Sequence, residues 1–203
     1  MFKKVASDML GLSDIGSVIK HEDYDKVDSD DYVMHEEDEK IFFLIKSKSD
    51  EYCFTNQALI HLDGTSAMSK KRMLKRFDYS NNQISDVKLE TAGTMDMDVE
   101  IKFTMGDHSY SIDVNKKQIE ELKDLYKALV RISSVQHENA ILYRYAENSL
   151  DTTVKTLNRA SNPSSLEEQF KVVNQYVFDW LKQAHGTYKR KDFSEVFEKF
   201  INN

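Results

Sequence analysis

Between Asp86 and Phe103 the chain keeps a period of two. Met97, Val99, Ile101 and Phe103 alternate with Asp96, Asp98, Glu100 and Lys102, and upstream Val87 and Leu89 alternate with Asp86, Lys88 and Glu90. Successive side chains of a strand point to opposite faces, so this spacing makes an antiparallel hairpin with one packed and one solvated face. A slip of one residue would turn every apolar side chain to water, so matching the dry faces needs a loop with an odd number of residues. A five-residue loop over 91–95 places Lys88 opposite Asp98 and Leu89 opposite Met97, with Gly93 as the positive-φ residue.

The strand pattern extends to both sides. From Glu39 to Val114, short runs rich in β-branched and aromatic residues predict seven strands, near 39–47, 51–55, 57–62, 70–78, 83–91, 96–105 and 108–114. The breaks carry turn chemistry: Ser47-Lys48-Ser49-Asp50, Asp63-Gly64, Asn81-Asn82, Ala92-Gly93 and Gly106-Asp107. After Val114 the period becomes helical. Asn115 is a candidate N-cap, and Ile119, Leu122, Leu125 or Tyr126, Leu129 and Ile132 form one stripe. Seven short strands followed by an amphipathic helix describe an α+β unit, a compact seven-strand β-barrel or sandwich with a helix over one open end.

The remainder, 137–203, reads as helix. Ile141, Leu142, Tyr145, Leu150, Val154 and Leu157 supply apolar positions up to a break at Asn162-Pro163. The next helix opens with Ser164 and Glu167 in capping-box spacing. It carries Leu166, Phe170, Val173, Val177, Trp180 and Ala184 at alternating spacings of four and three, a heptad seam, and is expected to end at His185-Gly186. A last short helix starts near Asp192 and offers Phe193, Val196, Phe197 and Phe200. Ahead of the strands, Phe2, Val5, Met9 and Leu12 share one face of a short amphipathic helix. An acidic stretch, expected as loop, follows it. The division is thus 1–38, an N-terminal helix and acidic segment; 39–136, the barrel with its capping helix; and 137–203, a helical-hairpin extension.

Charge bounds the partners. The net charge is -7, and residues 20–39 alone hold ten carboxylates against Lys20 and Lys26. That balance disfavours nucleic acid. The longest unbroken apolar run, Ile41–Ile45, is far shorter than a membrane span, so any membrane contact is peripheral. Cys53 has no intramolecular disulfide partner, and a reducing, cytoplasmic setting fits.

No motif carries a reaction. The six histidines include no i, i+4 pair, and there is no G-x-S-x-G, P-loop or G-x-G-x-x-G. The expectation is no enzyme, no metal and no cofactor. Asp96, Asp98 and Glu100 put three acids on one strand face; they suit a charged contact to another subunit, a metal, or a solvated face paired with Lys88 and Lys102. Acids two apart on a strand stand ~6.5 Å apart, too wide to share one ion unaided. Lys70, Lys71, Arg72, Lys75 and Arg76 form the basic cluster. It suits an anionic lipid head group, an acidic protein, the 20–39 segment of the same or another chain, or solvent. The seam residues Leu166, Phe170, Val173, Val177 and Trp180 are the best assembly candidates, with an intramolecular hairpin as the plain alternative.

Glu90-Thr91-Ala92-Gly93 followed by Asp96-x-Asp98-x-Glu100-Ile101 resembles the signature of the bacterial pleckstrin-homology-like domains. Met9-Leu10-Gly11, Glu39-Lys40, Phe54-Thr55 and Leu59-Ile60-x-Leu62-Asp63 agree with that family in order, and the tail resembles the YvbH-like helical region that follows the domain in some members. Two departures stand out: Ala58 where the family has a basic residue, and no proline within 77–84. The resemblance implies a seven-strand barrel capped by a helix, ring-like homo-oligomers and no catalysis. The reading is a self-assembling interaction module, with itself and an unknown protein as partners. Its alternative is a peripheral adaptor that uses Lys70–Arg76.

Overall fold

The computed structural model describes residues 15–64, 72–91, 93, 97–160 and 166–201, with the side chains of 156–160, 166, 167, 169 and 170 left aside. The expected N-terminal stripe, Lys70, Lys71, Asp96 and the capping box at Ser164 therefore lie outside the described residues. So does the turn conformation at Gly93, which rests on Ala92 and Thr94.

Among the described residues there are eight strands, not seven: β1 Ser17–Val18, β2 Ile41–Lys46, β3 Glu51–Thr55, β4 Ala58–Gly64, β5 Arg72–Asp78, β6 Ile84–Glu90, β7 Asp98–Met105 and β8 His108–Asn115. They form two antiparallel sheets, β1-β2-β3-β4-β5 and β6-β7-β8, and the barrel does not close. On one side the sheets meet where Gly16 N donates to Asp113 O at 2.8 Å and Asn115 N donates to Gly16 O at 3.0 Å. A Cβ at Gly16 would stand 2.7 Å from Ile45 Cγ2, so only glycine allows this approach. On the other side β5 and β6 end the two sheets. The extra strand, β1, has two residues, too few to show a period.

The dry faces meet between the sheets. Phe43 and Phe54 of one sheet and Phe103 and Tyr110 of the other make a chain of ring contacts with centroids 5.1–6.4 Å apart. The face assignment in the β6–β7 hairpin is as expected, but the register is not. Lys88 stands opposite Lys102, Leu89 opposite Ile101 and Glu90 opposite Glu100. The slip is four residues, an even number, so every side chain keeps its face. Met97 falls outside β7 and is 70% exposed, against its expected place on the dry face. Further along, the pairing shifts between Ser85 and Lys88, where Asp86 takes φ 53°, a bulge that bends the edge strand.

The acidic stretch corrects another expectation. Three 3-10 turns, His21–Lys26, Asp28–Tyr32 and His35–Glu37, lay Val27 and Val33 against Ile41, Leu44, Cys53 and Ile60, with Ile19 and Tyr24 beside them. The five-stranded sheet is thus covered on both faces, which is why β2 reads as an unbroken apolar run.

Asn115 caps as expected: its side chain accepts from Lys117 N at the 3-10 turn Lys116–Gln118, which leads into α1, Ile119–Ala160. Leu122, Leu125, Leu129 and Ile132 are buried. Gln118 holds both polar groups of Val18 on β1, at 2.8 and 2.9 Å, and Ser133 Oγ donates to Ile84 O of β6 at 2.6 Å. The helix is so tied to both sheets. It runs on without a break past the expected boundary at 136. α2 spans Leu166–Tyr188, continuing through Gly186, and α3 spans Ser194–Ile201.

Two compact units result. One comprises the chain through Ser134 together with Lys191 onward; the other is Val135–Arg190. The last helix, expected in the extension, belongs to the strand unit. Asp192 Oδ1 accepts from Ser194 N at 2.7 Å and starts α3, while Asp192 Oδ2 accepts from Asn56 Nδ2 at 2.8 Å. Phe193 N donates to Asn56 O, and the Phe193 and Phe197 rings pack on Tyr79 and Phe42.

Candidate interaction surfaces

The basic cluster is partly spent within the chain. Arg72 Nη1 donates to Asp28 Oδ2 at 2.6 Å and to Glu51 Oε1 at 3.4 Å. Lys75 Nζ donates to Asp63 Oδ2 at 2.6 Å, and Arg76 donates to Glu39 Oε2 at 3.0 Å and to Asp78 Oδ1 at 2.8 Å. Asp28 and Glu39 come from the acidic segment. The two carboxylates that matter most are buried. Glu39 also accepts from Met34 N at 2.9 Å and Thr55 Oγ1 at 2.5 Å, and Glu51 accepts from Lys46 Nζ at 2.5 Å and Ser29 N at 2.8 Å. Each ties a backbone N–H of the 3-10 segment to the sheet. Burial opposes ionisation of Glu51, but the hydrogen bond and charge of Lys46, with the Ser29 N–H, outweigh it and hold the carboxyl below its ordinary value.

Register builds the acidic face. Glu90 stands opposite Glu100, and Glu100 opposite Asp113, so three acids lie abreast across β6, β7 and β8. Like charges directly opposite weaken strand pairing. Lys102 relieves them, reaching Glu100 at 2.8 Å and Glu90 at 3.0 Å, and Ser111 Oγ donates to Glu100. The Lys102 and Ser111 hydrogen bonds pull the Glu100 carboxyl down, whereas burial, then Glu100 and Asp98, push Asp113 up. Asp98 stands opposite Asn115 at the end of this face. Among the described residues, no group of three His, Cys, Asp or Glu is placed to hold a metal ion.

Two further places carry polar chemistry. An open groove of about 600 Å³ is lined by Tyr24, Asp25, Asp30, His35, Phe42 and Glu198. Carboxylates together with the rings of Tyr24 and Phe42 suit a cationic group, but Lys40 also lines the groove and opposes one. Its lining comes from distant parts of the chain, so no local motif marks it. Between the sheets, His61 stacks on Tyr52 with centroids 4.4 Å apart and lies 3.2 Å from Asp50 Oδ1. Cys53 faces the other way, under the acidic segment, where burial pushes its thiol up and keeps it protonated.

The helices of 135–190 differ in kind. Of their described apolar side chains only Val135 and Ala184 are buried. Val173, Val177 and Trp180 of the expected seam are half-buried, while Leu142, Tyr145, Val172, Tyr176 and Phe178 are exposed. Among the described residues, no helix is long and apolar enough to cross a membrane.

Comparison with known proteins places this arrangement. The family model for the bacterial PH domain matches residues 9–133, and that for the YvbH-like oligomerisation region matches 144–203. The chain belongs to the bacterial PH domain family. It is 58% identical, over the full length of both chains, to the uncharacterized protein YvbH of Bacillus subtilis (strain 168). It is also similar to the crystal structure of a PH domain-containing bacterial protein from Exiguobacterium sibiricum 255-15, with TM-score 0.87 and 49% identity over 93% of this chain and 100% of that one. The departures from the family pattern have local answers. Ala58 is fully buried at the start of β4, and the turn without proline closes where Asp78 O accepts from Asn81 N and Asn82 N. The PH domain match ends where the first unit's share of α1 ends. The oligomerisation match includes α3, which packs with the strands.

Proposed function

We propose that this chain is a non-catalytic interaction module that assembles with copies of itself through the helices of 135–190. It displays its PH-like unit as a repeated, ring-like surface to a further protein. The observation that carries this is the difference in burial: the strand unit covers its sheet on both faces, whereas the helical unit leaves large apolar side chains in water. Exposed apolar patches of this kind mark interaction surfaces. The seam and its flanks supply the main contact, and the outer edges of β5 and β6, with Asp98 and Glu100, supply a second one between neighbouring PH-like units.

The adaptor reading through Lys70–Arg76 has less support. Arg72, Lys75 and Arg76 already hold carboxylates of their own chain, so an anionic lipid or acidic protein would first have to displace them.

Light scattering on a sizing column, with the full chain over a range of concentrations, tests the proposal. A defined oligomer is expected. A monomer at high micromolar concentration would sink it, and binding to anionic vesicles that vanishes in high salt would favour the adaptor instead.

A further inference from the structure

If residues 135–190 are an assembly device, as proposed above, the pattern of exposure says which side meets the second copy. A helix turns by roughly 100° per residue. On α2, Val173, Val177, Trp180 and Ala184 then fall in one stripe roughly 60° wide, and these are the less exposed residues. Val172 and Tyr176 lie roughly 70–110° to one side of it. They are 66% and 63% exposed. On α1 the half-buried stripe is Tyr143, Ala146, Leu150 and Val154. Leu142 and Tyr145, 45% and 63% exposed, are displaced from that stripe in the same rotational sense. Helices joined by so short a connection run antiparallel as neighbours. Displacements of the same sense then fall on one side of the pair.

The two sides differ in the number and sign of their charges. The side with Leu142 and Tyr145 holds Glu138, Ser149 and Thr153 on α1, and Asp179 and Gln183 on α2. The opposite side holds Arg144, Asp151 and Lys155 on α1 and Lys171 and Lys182 on α2, with one exposed aromatic ring, Phe178. An exposed side rich in tyrosine and poor in charge has the composition of an interface core.

We infer that Leu142, Tyr145, Val172 and Tyr176 form the surface on which a second copy of this chain docks, and that the heptad stripe is internal to each copy. A second copy is the occupant because Tyr145, Val172 and Tyr176 lie within the stretch matched by the YvbH-like oligomerisation region. The charges on that side, Glu138 and Asp179, are acidic, so it offers little to an anionic membrane or to nucleic acid.

The test uses the full-length chain with Tyr145→Glu and Tyr176→Glu together, beside a control with Arg144→Ala and Lys182→Ala on the opposite side. The double glutamate variant should lose the wild-type mass in light scattering while its helical circular dichroism persists; the control should keep that mass. Should the glutamates disturb folding, oxidative cross-linking of Tyr176→Cys decides the matter. A disulfide-linked dimer is expected there and none with Lys171→Cys, and buried Cys53 adds no background. An oligomeric wild type whose mass survives both glutamates, with no Tyr176→Cys cross-link, overturns this inference and returns the contact to the stripe. A monomeric wild type overturns the assembly reading and this surface with it.

Discussion

Leu44 of β2 and Tyr176 of α2 are large side chains on regular elements, yet the first is fully buried and the second stands mostly in water. The difference lies in what the chain brings back to cover each. Over Leu44 it lays the acidic 3-10 segment, held by Glu39 and Glu51, and over neighbouring Phe42 it lays α3. Among the described residues, none covers Tyr176 in this way. One region buries its large apolar side chains within the chain, while the other leaves them in water.

The sharpest break of this contrast is at α3, which the family model groups with the oligomerisation region and the structure groups with the strands. Phe197→Ala removes a fully buried ring that touches Phe42 and Tyr79. It should cost about 4 kcal/mol of the strand unit's stability. Tyr176→Ala should cost well under that and act on mass instead. Trp180, the single tryptophan, sits on α2, so its fluorescence follows the helical unit, while hydrogen exchange at the β2–β4 amides follows the strands. If Phe197→Ala left the strand transition in place and altered only assembly, α3 would belong functionally with the helices.

A second effect is expected at Glu39, whose carboxylate joins Met34 N, Thr55 Oγ1 and Arg76. Glu39→Ala leaves the half-buried Arg76 with Asp78 alone and frees the end of the segment. Losing one member of a buried ion pair costs about 3 kcal/mol. Hydrogen exchange should then rise first at Val33 and Met34. Uniform exchange across the sheet would mean that the segment is not a separate cover.

What was legible in the sequence followed from period. Alternation gave the strands of the second sheet and their faces, and Asn115 gave the helix start. The parity of the β6–β7 register was also fixed, because an odd slip would drown Val99 and Ile101. The absolute register was not, since a slip of four leaves every face unchanged and only turns Met97 out into the loop. The acidic cover was hidden because Ile19, Tyr24, Val27 and Val33 follow no period among ten carboxylates. Its signal lay elsewhere, in the unbroken Ile41–Ile45 run, which only a sheet buried on both faces permits. The candidate surfaces were half legible. The basic residues are plain in the sequence, but their intrachain carboxylates come from far along the chain, and the exposed tyrosines of α1 and α2 stand outside the heptad pattern.

The smallest expected effect is in the pH dependence of the two units. The Glu51 carboxyl is held below its ordinary value in the folded protein, despite its burial, by Lys46 and the Ser29 N–H. A carboxyl whose folded pKa is depressed contributes its full stabilisation above the unfolded value of roughly 4.3, and loses it as pH falls through the lower, folded value. Asp50 shifts in the same direction, where burial is outweighed by the hydrogen bonds of His61 and Ser49. Both residues belong to the strand unit, so its urea midpoint should fall as pH drops from about 6 to about 3. The helical unit, whose described carboxylates lie in water, should respond less. Glu51→Gln keeps the shape but not the charge, and should flatten that acid limb while lowering the midpoint near neutrality. Equal slopes for wild type and variant would mean that Glu51 is not what holds the cover in place, and that the apolar contacts of Val27 and Val33 suffice.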